Sequence, residues 1–115
     1  MNNAWTWAVP LILVLAWLVV TQLGKVSSSR ARELVAGGAE LIDVRTRGEY
    51  AQGHLPGAKN VPLDELSAQA GSLATAGKPL VVYCQSGVRS ARAKHLLRRA
   101  GASDVHDLGA MSRWR

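Results

Sequence analysis

The chain has 115 residues, of which 48% are hydrophobic, and a formal net charge of +6 at pH 7. This length suits one domain. The single cysteine, Cys84, excludes an internal disulfide, and the abundance of Val, Leu and Ala excludes collagenous and disordered chains. The basic residues form no dense run and are not interleaved with aromatic residues, so nucleic acid is not an expected partner.

The first 24 residues carry no charged side chain. Within them, residues 4–23 form an apolar run that, at about 1.5 Å per helical residue, would span the roughly 30 Å hydrocarbon layer of a bilayer. Trp5 and Trp7 suit the membrane interface, and Pro10 would bend the helix near one end. The sequence therefore predicts a transmembrane helix anchor over residues 1–24, in contact with membrane lipid.

Two other interpretations of this segment remain open. A cleaved signal peptide is disfavoured because residues 1–3 hold no basic side chain and residues 20–23 make a poor cleavage site. A buried core helix is disfavoured because the segment has no polar face. Lys25, Arg30 and Arg32 follow the apolar run, and this excess of positive charge predicts an outside amino terminus and a cytoplasmic domain.

The rest of the chain alternates between strand and helix patterns. We interpret residues 25–29 as a linker and residues 30–115 as one domain. The predicted strands are 39–44, 60–63, 80–83 and 104–106, and the predicted helices are 30–36, 46–51, 64–73 and 89–100, with a closing turn or short helix at 109–114. Ser28 or Ser29 is the expected N-cap of the first helix and Asp64 that of the third. This alternation predicts an α/β fold with a mostly parallel sheet covered on both faces.

Cys84 follows the strongest strand pattern and precedes a loop and a helix. Ligands of open parallel sheets bind outside the carboxyl ends of the strands. Gly87 allows the loop to curl its N–H groups inward, and the helix start adds free N–H groups and a positive dipole end. Arg89 and Arg92 lie in the first helical turn, where the dipole disfavours cations, which indicates a functional role.

These groups would favour the thiolate form of Cys84 and a nucleophilic role. The alternative is a small buried residue at a strand end, and burial of the thiol would count against the nucleophile. We predict that Cys84 is the catalytic residue and that the loop binds the substrate through Gln85, Ser86, Gly87, Val88 and Arg89.

Four segments resemble the motifs of single-domain rhodaneses, a sulfurtransferase family that carries persulfide sulfur on the loop cysteine. They are 41–45, 53–62, 83–90 and 108–110, the last followed by Trp114. They occur in the family's order and cover nearly all of residues 28–115. The resemblance implies the rhodanese fold, with a five-stranded parallel sheet flanked by helices. Ala110 departs from the pattern, since a second glycine is usual there.

The length of the Cys84 loop separates sulfur chemistry from phosphate chemistry. Related tyrosine and dual-specificity phosphatases place an arginine six residues after the cysteine, whereas here that residue is Ser90 and Arg89 comes one position earlier. The shorter loop makes a smaller cradle and favours sulfur transfer.

The resemblance implies a double displacement in which Cys84 takes sulfur from thiosulfate or a persulfide and passes it to a thiol or to cyanide. Because the chain has no second cysteine, the thiol acceptor must be external. Arg89, with Arg92 in support, would steer the anionic donor. The alternative is a persulfide relay or binding module, without turnover, for a membrane-associated partner.

Asp43 and Arg45 end another strand and either support the site or hold a loop by hydrogen bonds. His54 is expected to brace a turn, and Glu49 to be solvated or to brace a loop. The three histidines are not at metal-ligand spacing, so neither a metal nor a cofactor is expected.

Overall fold

Helices and strands alternate from residue 28 onward in the computed structural model, which describes residues 5–115 and, over residues 20–23, the backbone alone. The helices are α1 (Ala8–Leu23), α2 (Ser28–Ala36), α3 (Arg47–Ala51), α4 (Leu63–Thr75) and α5 (Val88–Arg99). The strands are β1 (Glu40–Asp43), β2 (Lys59–Asn60), β3 (Leu80–Cys84) and β4 (Val105–Ala110), and a 3-10 turn at Met111–Arg113 follows.

The four strands form one parallel sheet in the order β2-β1-β3-β4. The α/β fold and the parallel sheet are therefore confirmed, but the fifth strand that the resemblance implied is absent from the described residues. Beside the free edge of β4 there is only a single parallel bridge, between Lys25 and Asp107. The chain cannot extend this bridge into a strand because α2 begins at Ser28.

Both faces of the sheet are covered, as its apolar strands require. On one face Ile42 and Val82 pack against α4 and α5 through Leu66 and Leu97. The residues that alternate with them point to the other face, into the core that contains Ala31 of α2 and the residues Leu41, Val81, Tyr83 and Leu108. Since β3 is buried at all five positions, its carboxyl end delivers Cys84 into the interior.

Several predicted element ends differ from the structure. Ser27, not Ser28 or Ser29, caps α2 by accepting a hydrogen bond from the Arg30 N–H. Helix α4 begins at Leu63 without a side-chain cap, so Asp64 lies in the first turn, where its charge complements the helix dipole.

Strand β4 is also longer than predicted, because a register shift at Val82/Tyr83 lets Tyr83 and Cys84 pair with Gly109 and Ala110. Residues that the sequence assigned to a closing turn therefore continue the sheet beside the cysteine.

The predicted transmembrane anchor over residues 1–24 is not confirmed. Helix α1 has 16 residues, a length of about 24 Å, and within residues 5–115 no helix combines the length and the apolar character needed to cross a bilayer. Residues 1–4 lie outside the described part of the chain. Residues 25–29, predicted as a linker, lie against the domain through the Lys25 bridge and the first turn of α2.

Candidate active site

The sulfur of Cys84 lies where β3 ends and α5 begins. The Gly87 N–H donates to Cys84 Sγ at 2.9 Å, and the Ser90 N–H donates to it at 3.4 Å. The Ser90 hydroxyl lies 3.6 Å from the sulfur and itself donates to the Gly87 carbonyl at 3.1 Å. Two backbone N–H groups therefore donate to the sulfur, as suits a thiolate or a persulfide, while the Cys84 thiol donates to the Ser90 hydroxyl.

Gly87 makes this arrangement possible. Its φ of 103° lies in the left-handed region that favours glycine, and it immediately precedes α5. No side chain caps the helix, so its first N–H groups and the positive end of its dipole face the loop. The predicted combination of a curled loop, a helix start and a cysteine is present in the structure.

Cys84 is fully buried, which the sequence analysis counted against a nucleophile. By contrast, the loop residues Gln85, Ser86 and Val88 are exposed, with 69% of Val88 accessible. The sulfur therefore lies beneath an exposed loop, which is the side from which a substrate would approach.

The guanidinium of Arg89 is engaged by a carboxylate outside the Cys84 loop. Its guanidinium forms a bidentate ion pair with Glu49, with Nη1–Oε1 at 2.6 Å and Nη2–Oε2 at 3.0 Å. The guanidinium lowers the pKa of Glu49 to about 2, aided by the backbone N–H of Thr46, and the carboxylate raises the pKa of Arg89. Of the two roles considered for Glu49, the structure shows the loop brace, since the same carboxylate caps α3.

Asp43 and Arg45 form a buried network at the same edge of the sheet. Arg45 Nη2 donates to Asp43 Oδ2 at 2.8 Å and to the Gly53 carbonyl at 2.6 Å, while Tyr83 donates to Asp43 Oδ2 at 2.6 Å. Burial, followed by the bond to Asp43, raises the pKa of Tyr83, and the bond to Asp43 raises that of Arg45. The pair thus holds a loop by hydrogen bonds.

The Asp43–Arg45 network also reaches the loop of Cys84. Arg45 Nη1 donates to Gln85 Oε1 at 3.1 Å, linking the first loop residue to the buried pair. Arg92, by contrast, is exposed and lines a separate cavity of about 500 Å³ with Arg89 and Leu63. The structure therefore brings Arg45 and Asp43 to the loop and leaves Arg92 beside it.

Three further residues near the Cys84 loop have no predicted role. Ser90 follows the motif arginine and could have been found from its position one turn after Gly87. Lys25 and Asp107 pair at 2.8 Å behind the loop, but they are 82 positions apart and carry no shared sequence signal.

His54 stacks on Tyr50, as a turn-bracing residue would. Within residues 5–115 no cluster of three or more His, Cys, Asp or Glu is placed to hold a metal ion.

A family model described as a rhodanese-like domain matches residues 27–115. The chain belongs to the rhodanese-like family. The predicted class of rhodanese-type sulfurtransferases is therefore confirmed at the level of the family.

Individual relatives and a solved structure are similar to this chain over most of its length. The chain is 42% identical to the uncharacterized protein YqhL of Bacillus subtilis over 66% of its own length and 60% of that protein. It is 38% identical to a human protein named thiosulfate:glutathione sulfurtransferase, over 77% of this chain and 90% of that protein. The human single-domain sulfurtransferase TSTD1 superposes with a TM-score of 0.67 at 35% identity, covering 79% of this chain and 94% of the other.

Proposed function

We propose that this rhodanese domain transfers sulfane sulfur through a persulfide on Cys84. The single observation that carries the proposal is the Gly87 N–H directed at Cys84 Sγ at 2.9 Å, at the start of α5. Backbone donors held in this position stabilise a negative sulfur without having to reorganise. The same N–H groups remain close to the negative charge when it lies on the outer sulfur of a persulfide.

The proposed first step is a displacement on a sulfur donor such as thiosulfate or a persulfide. The Cys84 thiolate attacks the sulfane sulfur, an S–S bond forms, and the S–S bond of the donor breaks. Sulfite, or the donor thiolate, leaves with the electron pair. The negative charge of the Cys84 persulfide then lies on its outer sulfur, close to the loop N–H groups.

The second step returns the enzyme to its starting state. An external thiolate or cyanide attacks the outer sulfur and the Cys84 thiolate leaves, which yields an acceptor persulfide or thiocyanate. No second cysteine is present to resolve the persulfide within the chain. Cys84 is buried and its neighbours Gln85 and Ser86 are exposed, so each partner approaches the sulfur from the side of these two residues.

Thiocyanate formation from thiosulfate and cyanide by the purified full chain tests this proposal. We expect activity that Cys84→Ser abolishes, and a mass increase of about 32 Da on Cys84 after incubation with thiosulfate alone. Cys84→Ser with unchanged activity would reject the nucleophile. Ser29→Ala, on an exposed residue of α2, is the matched control and should retain full activity.

One pair of observations favours a second candidate, a persulfide relay to a membrane-associated partner. Cys84 is fully buried and Arg89 is paired with Glu49, so neither side chain is directly available to a small anion in solution. For a relay we expect a persulfide on Cys84 when a protein donor is supplied, with negligible cyanide turnover. Rapid turnover with free thiosulfate would reject the relay.

We also propose that the N-terminal segment holds the protein at a membrane, with the amino terminus outside and the domain in the cytoplasm. Support comes from the exposed apolar side chains of α1, among them Ile12, Leu13 and Trp17, each more than 60% accessible. The charge-free residues 1–24 and the exposed Arg30 and Arg32 beyond them also fit this orientation. Digestion of the domain by protease added outside sealed, right-side-out vesicles would overturn the placement.

A further inference from the structure

Lys25 joins the residues that follow α1 to the interior of the domain. Its ammonium Nζ lies 2.8 Å from Asp107 Oδ2, and the two side chains are only 11% and 3% exposed. The backbone is held as well, because the Val26 N–H donates to the Asp107 carbonyl at 2.8 Å. Lys25 is therefore fixed beside β4 by two independent contacts.

The same side chain reaches the loop that holds the sulfur. Lys25 Nζ lies 3.5 Å from the Gly87 carbonyl, which also accepts the Ser90 hydroxyl. The Lys25 methylenes pack on two glycines: a Cβ at Gly109 would lie 3.1 Å from Lys25 Cδ, and one at Gly87 would lie 3.7 Å from Lys25 Cε. The Gly87 carbonyl thus accepts from Lys25, from the Ser90 hydroxyl and, at 3.2 Å, from the Ala91 N–H of α5.

The position of Gly87 matters because its N–H makes the 2.9 Å bond to Cys84. A glycine has wide conformational freedom, so its N–H direction must be held by its neighbours. The Lys25 methylenes restrict this freedom because they pack beside Gly87 and Gly109. Lys25 therefore helps to hold Gly87, and with it the N–H that faces the sulfur.

Asp107 adds an electrostatic reason for the pair. Its carboxylate is buried behind the loop, where Oδ1 accepts the Gly109 N–H at 2.8 Å. Without a cation, this buried charge would repel both a thiolate and an anionic donor. Lys94 and Arg113 also lie near the pair: Lys94 Nζ donates to the Gly24 carbonyl at 3.2 Å and Arg113 Nη2 donates to the Val26 carbonyl at 3.2 Å. These two contacts are to backbone carbonyls, whereas Lys25 contacts the Asp107 carboxylate directly.

We propose that Lys25 is a positioning residue for sulfur transfer. It packs against Gly87, whose N–H points at Cys84, and it neutralises Asp107 so that the loop accepts negative sulfur. This role rests on the proposed function of Cys84. Nothing in the Cys84 motif itself indicates it, because Lys25 lies outside the residues matched by the family model.

The test compares Lys25→Met, Lys25→Arg and the double variant Lys25→Met/Asp107→Asn in the full chain. Alkylation of Cys84 by iodoacetamide is followed against pH, together with thiocyanate formation and thermal unfolding. We expect Lys25→Met to move the alkylation profile to higher pH by about one unit. We also expect it to slow sulfur transfer roughly tenfold, less than the hundredfold or so typical of losing a donor outright.

The other variants separate positioning from simple support of the fold. Lys25→Arg should keep the profile within about 0.3 units of the parent, and the double variant should move it back toward the parent because the unpaired carboxylate is gone. Lys78→Met, which removes an exposed cation away from the site, is the matched control and should leave the profile in place. Lower thermal stability of Lys25→Met with an unmoved profile would overturn the proposal, as would a profile that the double variant fails to restore.

Failure of the proposed function has a different signature. In that case the parent chain forms neither a persulfide nor thiocyanate, while the alkylation profiles of the four variants still report whether Lys25 governs the charge state of Cys84.

Discussion

Two arginine–carboxylate pairs flank the Cys84 loop, and they differ mainly in their exposure to water. Arg45 and Asp43 are 5% and 0% exposed, whereas Arg89 and Glu49 are each 33% exposed. Both pairs are bonded through more than one contact. The buried pair is costly to break because a remaining charge has no water, while the half-exposed pair can exchange its partner for solvent or substrate. We infer that the Arg45–Asp43 pair fixes the shape of the site and that the Arg89–Glu49 pair can release Arg89 to a substrate.

The largest expected effect is on folding stability. Asp43→Asn leaves Arg45 buried without a counter-charge and should lower the free energy of unfolding by about 3 kcal/mol. The matched change Glu49→Gln, in the half-exposed pair, should cost less than about 1 kcal/mol. Urea unfolding of both variants measures the contrast, and equal losses would show that burial does not distinguish the pairs.

A smaller loss should follow from Tyr83→Phe. This change removes the hydroxyl that donates to Asp43 at 2.6 Å and accepts from the Leu55 N–H at 3.1 Å, both in the interior. Bonds to charged groups contribute about 1.5–3 kcal/mol, and we expect a loss in that range. Tyr50→Phe, which removes a bond to the uncharged Ala58 carbonyl, is the control and should cost about 1 kcal/mol. A larger loss of stability for Tyr50→Phe than for Tyr83→Phe would contradict the claim that the bond to buried Asp43 is the more stabilising one.

The third prediction concerns substrate affinity. Glu49→Gln removes the charge that holds Arg89 and frees the guanidinium for an anionic donor, so the KM for thiosulfate should fall about two- to fivefold. Glu65→Gln breaks the exposed Arg47–Glu65 pair and should leave KM unchanged. A KM that rises in Glu49→Gln would show that the intact pair, not the free arginine, receives the donor.

The smallest effect is a dependence of stability on pH. Arg89 lowers the pKa of Glu49 from 4.5 to about 2, so between these values the unfolded chain binds more protons than the folded one. The stabilisation is therefore complete above about pH 4.5 and is lost as the pH falls toward 2. The stability difference between parent and Glu49→Gln should be constant above pH 5 and should vanish near pH 2. A difference that persists undiminished at pH 2 would contradict the depressed pKa.

The sequence predicts the parts of this molecule that depend on neighbouring residues. The run 80–83 and the loop after Cys84 identify β3, the start of α5 and the sulfur at their junction, since each signal is complete within about ten residues. The resemblance adds the family but overstates the sheet, because the pairing of Lys25 with β4 stops after one bridge.

Other features depend on residues far apart and were missed for that reason. The Lys25–Asp107 pair spans 82 positions and the Arg89–Glu49 pair spans 40. Arg89 was expected to serve the substrate because a helix start disfavours cations. The structure shows that Glu49, brought close by α3, offsets that cost. Burial of Cys84 likewise follows from β4 continuing to Ala110, which no local pattern indicates.

Gly24 is the only residue between the end of α1 and Lys25, whose backbone and side chain are both held by Asp107. One extended residue spans at most about 3.6 Å. The domain consequently stays within one residue of the end of α1, and the backbone of Gly24 is the joint between them. A membrane or protein that binds α1 therefore also restricts the position of the Cys84 loop. A partner of the loop must reach it in that position.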